Sequence, residues 1–93
     1  MGKGLHLTER RSKYVSWIRV FKAEFEQLRF MEERQRKTLI DYYGATNAAE
    51  FFAVVTEVFF EKPKQLLKEH PELYAELKDF YAQDPVTWAK AKS

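Results

Sequence analysis

Ninety-three residues with no cysteine make one small domain that holds no disulfide and no thiolate-bound metal. Hydrophobic residues are 45% and charged residues 32% of the chain, a globular and not a disordered balance, and Glu50, Glu57 and Glu61 break the longest apolar run before it reaches transmembrane length. The formal net charge of +2 hides an asymmetry: residues 1–40 carry ten Lys and Arg against five Asp and Glu, and residues 41–93 carry six against nine. The bases cluster at Arg10, Arg11 and Lys13 and again at Arg34, Arg36 and Lys37, interleaved with Glu9, Glu32 and Glu33. No recognition-helix pattern and no aromatic stacking platform accompanies them, so they read as solvated helix ends, not as a nucleic-acid surface.

Residues 1–11 read as a flexible tail. Its start, Met1-Gly2-Lys3-Gly4, lacks the apolar core of a signal peptide, which makes the cytoplasm the default location. Thr8 or Ser12 is suited to cap a first long helix over about 12–34. Tyr14, Ile18, Phe21, Phe25 and Leu28 recur at helical spacing there, widened by Trp17, Val20 and Met31, with Arg19, Lys22, Glu26 and Arg29 on the opposite face. The mixed charge of that face argues for packing in a small bundle over a membrane surface. Residues 35–46 form a connection containing Leu39-Ile40-Asp41 and ending in a turn at Tyr42-Tyr43-Gly44.

A central helix over about 47–61 organises the rest. Phe51, Val55, Val58 and Phe59 fall on one arc, flanked by Ala53 and Val54, with Phe52 nearer its edge. Glu50, Glu57 and Glu61 fall together on another, because seven or eleven residues is nearly a whole number of turns. Asn47 is placed as the N-cap. Asn-x-x-Glu is close to a capping box, in which Glu50 bonds back to the backbone of Asn47 and Glu57 is merely solvated. Pro63 then opens a short helix over 63–69 with Leu66 and Leu67 buried, and Pro71 another over about 71–82 with Leu73, Tyr74, Leu77, Phe80 and Tyr81 inside. Asp84 reads as the cap of a final turn, Val86 to Lys90, that anchors Trp88. With no clean alternation anywhere, the expected fold is all-α, a small bundle of three longer helices plus short helices, with residues 12–93 as a single helical domain.

The string YGATNAAEFFAVVTEVFF resembles the signature of the Mlc titration factor A family of zinc peptidases, the glucose-regulated metallopeptidases, and more distantly the catalytic domain of anthrax lethal factor. The resemblance extends from Ser16-Trp17 to HPELYAELKDFYAQDP. It implies that Glu50 is the third zinc ligand, that Tyr43 stabilises the oxyanion of the transition state, and that Glu57 orients a ligating histidine from outside the metal's own shell. Such roles suit the chemistry. A carboxylate neutralises zinc's charge while leaving a position for water, and a phenol donates to a developing alkoxide.

The family also needs His-Glu-x-x-His, and this sequence lacks it. Its histidines are His6, with no second His four residues on, and His70, at a helix boundary before Pro71. The chain therefore reads as the C-terminal part of a zinc peptidase, inactive by itself and holding no tightly bound zinc. Its expected partner is an upstream segment bearing His-Glu-x-x-His. The alternative is a non-catalytic helical module that binds a protein, such as a transcriptional repressor of sugar uptake, or a second copy of itself through exposed aromatics.

Overall fold

The first helix outruns its apolar pattern. In the computed structural model, which describes the backbone of residues 2–92 and the side chains of residues 11–88, α1 runs Gly2–Glu33, so it starts well before the expected position near residue 12. No proline and no strong turn signal stands between Gly4 and Glu33, and Glu9, Arg10 and Arg11 are good helix formers. The helix therefore extends beyond what packing requires. It ends at Gln35, held at φ 51°, with the Arg36 N–H donating to the Met31 carbonyl at 3.0 Å. This is the αL termination usually supplied by glycine.

A 3₁₀ turn, Tyr42–Ala45, leads into α2 (Ala48–Glu61), followed by α3 (Pro63–Glu69), α4 (Pro71–Tyr81) and α5 (Pro85–Lys92). Among the described residues there is no strand, and the architecture is all-α. Asn47 caps α2, with its Oδ1 accepting from the Glu50 N–H at 2.9 Å, and Pro63 and Pro71 stand at the first positions of α3 and α4. α4 ends on Ala82 in the left-handed region, φ 54°, one residue short of the expected boundary.

The core is where the α2 arc meets the other helices. Phe51, Val55 and Phe59 are fully buried with Leu66, Leu73 and Leu77, and Val54 joins them. From α1, Val20 and Leu28 reach this core, while Phe21 and Phe25 lay their rings edge-on against Phe51 at 5.8 and 5.6 Å. Four expected positions move outward. Tyr14 and Ile18 are exposed because the face of α1 that meets the other helices there is the one carrying Ser16, whose Oγ donates to Glu76 at 2.6 Å, and Trp17, which packs on Phe52 and Phe80. Leu67 is exposed, since the seven-residue helix turns Pro63 and Leu66 inward instead. Phe80 is exposed at 57%, though its ring closes over Trp17 at 4.8 Å and Phe52 at 5.7 Å.

The entry to α5 also differs from expectation. The Asp84 carboxylate does not cap it but accepts from the Tyr74 hydroxyl at 2.5 Å, and that hydroxyl in turn accepts the Val86 N–H at 3.1 Å. A side chain from α4 thus caps the first turn of α5. Burial, then the bond to Asp84, pushes the Tyr74 phenol up to about 12, partly offset by the Val86 N–H. Trp88 stacks on Phe60 at 6.1 Å but stays half exposed.

Candidate functional site

The site singled out by the motif sits where the 3₁₀ turn meets the first turn of α2. Gly44 and Ala45 are buried, and Gly44 lies so close to its neighbours that a Cβ there would meet Leu28 Cδ2 at 3.3 Å and Val54 Cβ at 3.4 Å. This close approach seats the turn on α1 and α2 together. The Tyr42 hydroxyl ties the turn back to α1 by donating to the Met31 carbonyl at 3.4 Å. Tyr43 points the other way and is 59% exposed.

Its phenol faces Glu50, seven residues on and half-buried on α2. The hydrogen-bonding approach of the Glu50 carboxylate, reinforced by its negative charge and by slight desolvation, raises the Tyr43 phenol above the ordinary tyrosine value. The turn thus brings together the two residues that the motif singles out. Glu57 lies two turns further along α2, exposed, on the same line of carboxylates.

Glu50 makes only half of the expected capping box. Its backbone N–H is bound by Asn47, while its carboxylate is turned towards Tyr43 and makes no return bond to the Asn47 backbone. Two stability outcomes follow. Asn47→Ala is expected to cost about 1 kcal/mol, within the 0.5–2 kcal/mol typical of lost caps, whereas Glu50→Gln is expected to change stability by less than about 0.5 kcal/mol. Urea denaturation of both variants at neutral pH checks this. A loss above about 1 kcal/mol in Glu50→Gln would mean that the carboxylate has a structural partner inside the chain.

The donors present do not by themselves fit zinc. Among the described residues no group of three or more His, Cys, Asp or Glu side chains converges to hold a metal ion. His70 is engaged elsewhere, its Nδ1 2.8 Å from Glu24 Oε1, and His6 lies outside the described side chains. One carboxylate with a phenol beside it does not make a zinc site, since catalytic zinc normally has three protein ligands.

Comparison with known proteins decides the family. The sequence pattern of the glucose-regulated metallo-peptidase M90 family matches residues 2–82. The chain belongs to that family. An uncharacterized protein of Synechocystis sp. is 47% identical over 77 residues, which is 83% of this chain and 28% of that relative. Proteins named Mlc titration factor A, from Serratia proteamaculans and Edwardsiella ictaluri, are each 45% identical over 47 residues, 50% of this chain and 18% of theirs. This M90 member therefore spans less than a third of the length of these relatives. No solved structure matches the chain. Among the described residues no helix is long and apolar enough to cross a membrane.

Two further contacts carry little or no sequence signal. Asp41 caps the 3₁₀ turn, its Oδ1 accepting from the Tyr43 N–H at 2.7 Å. An Asp two residues ahead of a turn position is a recognisable Asx-turn signal, which the sequence reading missed. The Glu24–His70 pair has no such signal, because 46 residues separate its members.

Proposed function

We propose that this chain contributes one zinc ligand, Glu50, and a proton-donating tyrosine, Tyr43, to a peptidase centre whose remaining ligands lie on a His-Glu-x-x-His segment outside this sequence. The reading rests on one observation above all: the Tyr43 phenol and the Glu50 carboxylate face each other across the junction of the 3₁₀ turn and α2. Zinc held there would supply Lewis-acid polarisation and an activated water. Glu50 would offset the ion's charge. Tyr43, a phenol at neutral pH as tyrosines ordinarily are, would donate to the oxyanion. Glu57 would orient a ligating histidine from one shell further out. The cytoplasm is the proposed location.

Two arrangements test this. The chain alone is expected to hydrolyse no peptide with zinc present and to bind zinc no tighter than micromolar by calorimetry. Joined behind a His-Glu-x-x-His-bearing segment of a family member, it is expected to hydrolyse peptides in a zinc-dependent way. Glu50→Gln is then expected to abolish turnover, and Tyr43→Phe to lower kcat by about 10²–10³-fold, the usual effect of losing one oxyanion donor. Zinc-dependent turnover by the pure chain, or an assembly indifferent to Glu50→Gln, would sink the proposal.

A second reading is favoured by the exposed rings of Phe80 and Trp88 and by the groove of about 510 Å³ between α1 and α2 lined by Trp17, Phe21, Phe25 and Phe52. Large apolar surface of this kind marks interaction faces. Here the chain is a protein-binding module, and the name of its relatives, Mlc titration factor A, points to Mlc as the partner to titrate against it.

A further inference from the structure

We infer that Asp41 is the positioning residue of the candidate site: its carboxylate fixes the 3₁₀ turn in the one setting that presents Tyr43 to Glu50. The inference rests on the reading of Tyr43 and Glu50 as the functional pair.

Tyr43 has almost no packing to hold it, being 59% exposed on a turn of only four residues. Turns of this type have poorer hydrogen-bond geometry than an α-helix and leave their first N–H groups without internal partners. Inside this turn the Gly44 N–H donates to the Asp41 carbonyl at 2.9 Å and the Thr46 N–H to the Tyr43 carbonyl at 3.2 Å. The Tyr43 N–H has no acceptor within the turn, and Asp41 Oδ1 takes it at 2.7 Å, a distance typical of a charge-assisted bond. Asp41 therefore holds the backbone around Tyr43 from both its main chain and its side chain.

The two ends of the turn are secured differently. Gly44 and Ala45 are anchored by burial, and Tyr42 by its bond to Met31. Tyr43 alone depends on an exposed polar contact, and its ring direction follows its backbone. Because Asp41 is itself exposed, its carboxylate can be removed without opening a cavity in the core.

The experiment uses the isotopically labelled chain. Nuclear Overhauser effects between the Tyr43 ring and the Glu50 side chain are measured with amide exchange at Tyr43 and at the core positions Phe51, Val55 and Phe59. In Asp41→Ala the Tyr43–Glu50 effects are expected to vanish and Tyr43 amide exchange to quicken about tenfold or more, with core protection unchanged. Asp41→Asn keeps an acceptor oxygen and is expected to restore both. Overhauser effects that persist in Asp41→Ala overturn the positioning role. If they vanish only together with core protection, Asp41 is merely structural and the role is overturned as well. If the wild-type chain lacks them, the geometry behind the proposed function fails with this inference. If the wild type has them and Asp41→Ala keeps them, this inference alone fails.

Discussion

Phe59→Ala is expected to destabilise the chain by about 3–5 kcal/mol, while Phe60→Ala, one residue on, costs about 1 kcal/mol. Phe59 has no solvent exposure and sits between α2 and α4, its ring 5.1 Å from Tyr74 and 5.9 Å from Tyr81. Truncation removes a whole ring from a closed space that the helices cannot refill, and aromatic pairing adds about 0.5–1.5 kcal/mol per contact beyond the buried area. Phe60 touches Tyr81 at 5.2 Å and Trp88 at 6.1 Å but is 38% exposed, so its loss leaves a surface dent. A small domain has only about 5–15 kcal/mol in total, so Phe59→Ala is expected to move the urea midpoint far to the left with little change in slope. Similar small losses at both positions would mean that α2 is not the centre of the core.

The arc of α2 is legible in the sequence because fourteen residues show a clear apolar side and are bracketed by Asn47 and Pro63, each of which acts through a local mechanism. The ends of α1 and α4 are harder to read. Both terminate in the left-handed region on Gln35 and Ala82, residue types that carry no stop signal. Burial along α1 is legible at Trp17, Val20, Phe21, Phe25 and Leu28 but not at Tyr14 and Ile18. The periodicity that includes Tyr14 and Ile18 is real, but burial depends on what lies across the helix, and sequence spacing says nothing about where α4 crosses. The same applies to Leu67 and Phe80, both on the apolar side of their helices and both exposed.

The site is legible in a different way. No periodicity relates Tyr43 to Glu50, since a turn and a cap stand between them and helical spacing does not cross that junction. Only the long motif pairs them, and the fold gives the pairing a physical basis through Gly44, whose missing side chain lets the turn approach Leu28 and Val54. In the sequence, the capping role of Asn47 and the carboxylate role of Glu50 read as competing explanations of one tetrapeptide. They are compatible, because the cap uses the Glu50 backbone and leaves its carboxylate free.

The stability of the chain is expected to fall between about pH 6 and pH 8 through the Glu24–His70 pair, and this dependence is expected to disappear in Glu24→Gln. Glu24 on α1 and His70 at the α3–α4 corner are joined at 2.8 Å with side chains only 19% and 21% exposed, so the pair clasps the long helix to that corner. The bond to Glu24 raises the His70 pKa. Desolvation opposes the rise, while the charges of Glu24 and of neighbouring Glu69 add to it. A histidine whose folded-state pKa lies above its unfolded value of about 6.5 contributes its full stability below that value. The contribution is lost as pH rises through the folded pKa. At pH 6 the charged, partly buried bond is worth about 1.5–3 kcal/mol, so His70→Ala is expected to cost about that much there and clearly less at pH 8. A double-mutant cycle of Glu24→Gln with His70→Ala isolates the pair from every other group. The coupling energy from urea denaturation is expected to be large at pH 6 and to shrink at pH 8; a coupling equal at both would show that the contact works as a neutral hydrogen bond and not as a protonation-dependent clasp.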